Sequence, residues 1–217
     1  MKKNTKRFWL SGELLLFGFA VWTLLIMNVD VQSVGQNGTD IGFASFNTWF
    51  HKITGVHMII YHITDWLGLV PIFVCLIFGS LGLSQLIKRR SLFKVDVDII
   101  ILGIYYVIVI SSYLIFEIIP INYRPVLIEG FMEASYPSST TLLVLSVMPT
   151  LIEQINRRIR NLYIKRILFM LSVLFSAFMV IGRLISGVHW FTDIIGSILL
   201  SLGLFCIYKA LILRCKK

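Results

Sequence analysis

Cysteine is scarce in this chain of 217 residues: there are three, Cys75, Cys206 and Cys215, at no paired spacing. That excludes a disulfide framework or a cysteine metal cluster as the organising element. Charge is also sparse, with Asp, Glu, Lys and Arg together at 14%, and acidic residues are few, 11 against 20 basic ones. No soluble domain, low-complexity tract or convincing internal repeat interrupts the sequence. With 57% hydrophobic residues, a chain of this size cannot hide its apolar surface in a soluble core. Residues 1–217 therefore read as a single transmembrane domain.

Six apolar runs stand out, approximately 8–27, 67–87, 95–119, 138–156, 167–186 and 190–213. Most reach the ~20 residues that cross ~30 Å of hydrocarbon as a helix. The run 138–156 is the weakest, because Pro149 interrupts it; neighbouring helices can hold such a kink. The first run follows basic residues as a signal peptide would. Its length and the lack of a small-x-small cleavage site favour an uncleaved anchor. The expected fold class is all-α, a polytopic bundle of six transmembrane helices.

Basic residues orient that bundle. Lys2, Lys3, Lys6 and Arg7 precede the first run; Lys88, Arg89, Arg90 and Lys94 separate the second from the third. Arg157, Arg158, Arg160, Lys165 and Arg166 separate the fourth from the fifth, and Arg214, Lys216 and Lys217 follow the sixth. All fall on one face, which the positive-inside rule assigns to the cytoplasm together with both termini. The net charge of +9 then reflects topology and anionic headgroups, and nucleic-acid binding is not needed to explain it. The opposite face has Lys52, Arg124 and Arg183 near it. Its longest segment, 30–66, starts polar and continues with Phe43, Phe46, Trp49, Phe50, Ile53, Val56 and Ile60 at helical spacing, the pattern of an interfacial amphipathic helix. His51, His57, His62 and Asp65 in that segment lack good metal-ligand spacing and read as hydrogen-bonding interface residues.

The segment 182–193 carries the chemistry. It sets Arg183, His189 and Asp193 in the spacing R-x5-H-x3-D at the mouth of the last apolar run. If the chain is helical there, His189 and Asp193 share a face, and the carboxylate holds one imidazole nitrogen while the other stays free. Such a histidine is equipped to be a nucleophile or general base, with a guanidinium supplying fixed positive charge for a phosphoryl group.

This pattern resembles the third signature of the type 2 phosphatidic acid phosphatase (PAP2) family, whose superfamily includes vanadium haloperoxidases and bacterial acid phosphatases. Upstream, Tyr123-Arg124-Pro125 is similar to the end of the family's first motif, and Ser135-Tyr136-Pro137-Ser138-Ser139-Thr140-Thr141 to its second. The resemblance covers roughly the second half of the chain, with the motifs within 117–193. It implies that Arg124 and Arg183 bind phosphate oxygens, that the Ser138 hydroxyl and Ser139 backbone amide add donors, that His189 attacks phosphorus, and that Asp193 orients it.

Two positions depart from the family. Glu117 stands where the first motif has lysine, and Thr140 where the second has the histidine that protonates the leaving group. A carboxylate against phosphate is repulsive, so Glu117 is expected to pair with Arg124 or another arginine; Glu129 and Glu133 are further candidates for pairing or acid catalysis. The function this implies is cofactor-free, metal-independent hydrolysis of a lipid phosphate or diphosphate through a phosphohistidine. It would take place on the extracytoplasmic face of a cell membrane, with the setting expected to be a bacterial envelope. The alternative is a catalytically weak or inactive relative that binds, senses or moves a phospholipid. Thr140 favours a diphosphate substrate, whose leaving group needs a proton less, and the outer face suggests an undecaprenyl-diphosphate-like lipid.

Overall fold

The computed structural model describes residues 2–215. Lys216 and Lys217 of the last basic cluster lie outside the described residues, as does the side chain of Lys2. The described residues form eight α-helices: α1 (Lys2–Asn28), α2 (Ala44–Thr54), α3 (Met58–Leu67), α4 (Leu69–Arg89), α5 (Val97–Ile118), α6 (Ser139–Arg158), α7 (Leu162–Ile185) and α8 (Phe191–Arg214). The all-helical reading holds among the described residues; the count of six transmembrane helices is not confirmed, and the segment 44–67 forms two helices where one amphipathic helix was expected. Gly55, at φ 67°, ends α2 with its N–H on the His51 carbonyl. That left-handed turn splits the anticipated single amphipathic helix. Gly68, in ordinary helical geometry, instead lets α3 run almost straight into α4, so Met58–Arg89 is one apolar stretch of 32 residues.

Local chemistry sets several of these boundaries. Asn161 caps α7, its Oδ1 accepting from the amides of Tyr163 and Ile164 at 2.9 and 3.2 Å. Pro120 follows the end of α5, where it cannot continue a helix. Between α5 and α6 the chain folds back on itself through isolated antiparallel bridges, Tyr123 with Ala134 and Ile128 with Phe131.

Among the described residues, five stretches are long and apolar enough to cross a membrane, 3–28, 58–89, 97–118, 162–185 and 191–214. Helix α6 is not among them, for a physical reason. It packs against α4, α5, α7 and α8, burying Thr141, Ser146, Thr150, Glu153 and Gln154 beside Leu142 and Val147. A helix enclosed by protein need not be apolar all round, provided its polar groups find partners. Several do: the Tyr105 hydroxyl donates to the Ser146 carbonyl at 3.1 Å, and Tyr106 meets Thr150 at 2.9 Å. The outward faces are the reverse, with Phe17, Phe73, Ile87 and Leu174 exposed. This inside-out distribution suits a lipid surround.

Candidate active site

The site forms where the starts of α6 and α8 meet the end of α7. Arg183 sits in the last turn of α7, His189 in the connection that follows, and Asp193 in the first turn of α8. Since α8 begins at Phe191, His189 precedes the helix and does not share its face with Asp193 by helical repeat. Gly187 shapes that connection: its φ is 69°, and a Cβ there would lie 2.0 Å from the Gly55 carbonyl oxygen. Only glycine fits both demands. The seam is closed by the His57 amide donating to the Ser186 carbonyl at 2.9 Å, and His51 Nε2 lies 3.0 Å from the Gly187 carbonyl.

Asp193 is fully buried. Its Oδ2 accepts from the Trp190 amide at 2.8 Å and from the Ser135 hydroxyl, and its Oδ1 accepts from Asn122 Nδ2 at 3.4 Å. The carboxylate therefore caps α8 as well as facing the histidine. Its distance to His189 Nδ1 is 3.8 Å, too long for a hydrogen bond. Ser135 lies between them: Nδ1 is 3.1 Å from both its carbonyl oxygen and its hydroxyl oxygen. With the hydroxyl hydrogen committed to Asp193, both Ser135 oxygens act as acceptors. The imidazole proton then belongs on Nδ1, and Nε2 carries the lone pair.

His189 Nε2 is buried and has no hydrogen-bond partner among the described residues. Burial first, and then the positive charges of Arg124 and Arg183, hold the imidazole well below its ordinary titration range. The ring is thus neutral at physiological pH, the form in which a histidine nitrogen is nucleophilic.

The two arginines share one arrangement. Arg124 Nη2 meets Glu133 Oε2 at 3.1 Å, and Arg183 Nη2 meets Asp65 Oδ1 at 2.7 Å. In each, Nε and Nη1 are buried without a partner among the described residues. Both guanidinium groups lie over the Tyr61 ring, at 5.8 and 5.0 Å from its centroid, so the aromatic face brings two like charges to one place. Four unsatisfied guanidinium nitrogens and a free imidazole nitrogen in one buried cluster are matched to the oxygens and central atom of a tetrahedral anion.

The remaining sequence candidates divide. Thr140 joins the cluster, its Oγ1 accepting from Arg183 Nη2 at 2.5 Å. Ser139 opens α6, where a first-turn amide has no intrahelical partner. Ser138 is buried at the helix start, but its hydroxyl donates to Thr141 at 3.1 Å instead of turning to the arginines. Glu117 is exposed on α5. It forms no ion pair among the described residues, because Glu133 has taken Arg124. Sequence reasoning assigned no role to Ser135, Asn122 or Tyr61, and it did not link Asp65 with Arg183.

A cavity of about 500 Å³ adjoins this cluster. Asp65, Ser139 and Thr140 border its polar end, and Leu69, Val109 and Leu143 are among its apolar lining.

The sequence pattern of the PAP2 superfamily matches residues 113–217, which include Arg124, Arg183, His189 and Asp193. No curated protein matches the chain in sequence. Among solved structures, the fold is similar to the crystal structure of the first transmembrane PAP2 type phosphatidylglycerolphosphate phosphatase from Bacillus subtilis. The TM-score is 0.66 at 16% identity, covering 95% of this chain and 98% of that one. The likeness establishes a shared fold.

Proposed function

We propose, on the premise that residues 113–217 belong to the PAP2 superfamily, that this multi-pass membrane protein hydrolyses a lipid phosphate or diphosphate. The carrying observation is the cluster of buried, unpartnered nitrogens: His189 Nε2 with Nε and Nη1 of both Arg124 and Arg183. A purely structural core has no use for four unsatisfied guanidinium donors, whereas phosphoryl transfer is catalysed mainly by positioning and by charge stabilisation of this kind.

In this reading the His189 Nε2 lone pair attacks phosphorus as the bond to the lipid-side oxygen breaks. The imidazole becomes a phosphohistidine, its Nδ1–H held by Ser135 with the Asp193 carboxylate behind. Arg124 and Arg183 take the equatorial oxygens. Water then attacks phosphorus, the P–N bond breaks, and inorganic phosphate leaves with the histidine restored. No cofactor enters the scheme.

The basic residues support an orientation. Arg158 pairs with Asp98 and Lys209 with Glu153, and Arg214 lies over Trp9, so the cation-rich helix ends gather away from the site. We assign that end to the cytoplasm, with six crossings formed by α1, α3–α4, α5, α6, α7 and α8 and the site on the extracytoplasmic face. An impermeant thiol reagent should then label a cysteine placed at Asn37 in intact cells; labelling only after permeabilisation overturns the orientation. With Thr140 supplying no acid, a diphosphate is the least demanding substrate, and a polyprenyl diphosphate of the undecaprenyl kind suits an outer-face site.

The direct test is phosphate release by the purified protein. Wild type should turn over a lipid phosphate or diphosphate, and His189→Ala should abolish this while the protein still folds. Equal rates for the two proteins would remove His189 as nucleophile.

A further inference from the structure

Cleaving the lipid-side bond leaves an oxygen that needs a proton, most urgently when it is an alkoxide. Thr140, whose hydroxyl is a very weak acid, accepts from Arg183 Nη2 at 2.5 Å. That same nitrogen donates to Asp65 Oδ1 at 2.7 Å. A carboxyl group from α3 thus stands beside the position that should carry an acid. It reaches there from outside the segment that matches the superfamily.

Two carboxyl groups compete for the role, and the cavity separates them. Asp65 and Glu133 hold Arg183 and Arg124 in parallel ways. A proton donor for the leaving group must lie on the lipid side of phosphorus, opposite the attacking nitrogen. The apolar cavity, with Leu69, Val109 and Leu143 in its walls, is the place beside the arginines that accommodates a lipid chain. Asp65 borders it and Glu133 does not. The side chain of Asp65 is also 56% exposed.

The geometry points to Asp65 as the catalytic acid that replaces the missing histidine. This rests on the phosphatase reading above. The step begins from the protonated Asp65 carboxyl, which remains beside Arg183. As the P–N bond to His189 forms and the lipid-side P–O bond breaks, the Asp65 carboxyl gives its proton to the departing oxygen and becomes a carboxylate. In the second half, water loses a proton to that carboxylate as its oxygen bonds to phosphorus and the P–N bond breaks. Asp65 and His189 both end as they began.

The test exploits the leaving group. Purified wild type, Asp65→Asn and Asp65→Glu are assayed on a polyprenyl monophosphate and the diphosphate of the same chain length, in detergent micelles. Asp65→Asn preserves the shape of the side chain and its contact with Arg183. It should lower monophosphate turnover by about 10²- to 10⁴-fold, the usual contribution of general acid catalysis, and diphosphate turnover far less. Asp65→Glu should recover part of the monophosphate rate. A residue that only positions Arg183 would affect both substrates alike, so an equal loss on the two overturns the proposal. No loss on either does the same, as does a wild type that cleaves the diphosphate alone. A wild type that releases phosphate from neither overturns the phosphatase reading itself.

Discussion

Arginine side chains stand at both ends of the helical bundle and meet opposite surroundings. At the end away from the site, Arg89 pairs with Asp96 and Arg158 with Asp98, each at 2.8 Å, with the arginine side chains 42% and 31% exposed. Water can solvate whatever those carboxylates do not. At the site, Arg124 and Arg183 are 9% and 1% exposed, yet each retains two nitrogens without a partner. Burying a cation whose donors remain unsatisfied opposes folding. Arginines at the far end are therefore satisfied by surface pairing, whereas those at the site are buried with donors that no group among the described residues takes up.

The largest contrast should come from deleting one arginine at each end. Arg183→Ala should reduce phosphate release by roughly 10²- to 10³-fold, the effect of removing one preorganised donor, measured as kcat/KM on a lipid phosphate. Retained activity would mean that the buried guanidinium does not face the reacting group.

A smaller effect follows from His189. Its titration in the folded protein lies well below the ordinary value, because burial and then the two arginines oppose the charged form. The unfolded chain therefore binds this proton more readily than the folded one as pH falls below about 6.5. Stability should accordingly drop on acidification below that point, with a contribution from this residue approaching ~1.4 kcal/mol per pH unit. Thermal unfolding in detergent at pH 7.5 and 5.5 measures it. His189→Gln should flatten the pH dependence; an unchanged slope would show that the imidazole is not held neutral.

The smallest effect belongs to the far end. Arg158→Gln should change stability by about 1 kcal/mol or less, as for other partly exposed ion pairs, and leave turnover unaltered. A loss of activity there would break the division between the two ends.

Much of the candidate site was legible because its residues lie close together in sequence or in recognisable motifs. Arg183, His189 and Asp193 fall within 182–193, and Arg124 precedes a proline in an otherwise apolar chain. Asp65 was hidden by distance, being 118 residues from Arg183; a lone acid on an amphipathic helix looks like an interface residue until α3 is packed against α7. Ser135 was visible as part of a motif, but its position between His189 and Asp193 depends on how the loop before α6 folds back. The long helices were readable from apolar run length. Helix α6 was the weakest because its neighbours are helices and not lipid, so its sequence follows protein packing more than bilayer chemistry. The break at Gly55 escaped notice because the apolar spacing continues across it.

Helix α1 has its principal partner in α8. The two approach closely enough that a Cβ on Gly12 would lie 3.1 Å from the Gly203 carbonyl oxygen, and one on Gly203 would lie 3.2 Å from the Leu16 amide nitrogen. Trp22 Nε1 also donates to the Thr192 carbonyl at 3.1 Å, across 170 residues. During synthesis, α1 enters the bilayer long before this partner exists and must wait there while the intervening helices are inserted. The segment bearing His189 and Asp193 arrives with α8, so closing the bundle and completing the candidate site are a single late event in biogenesis.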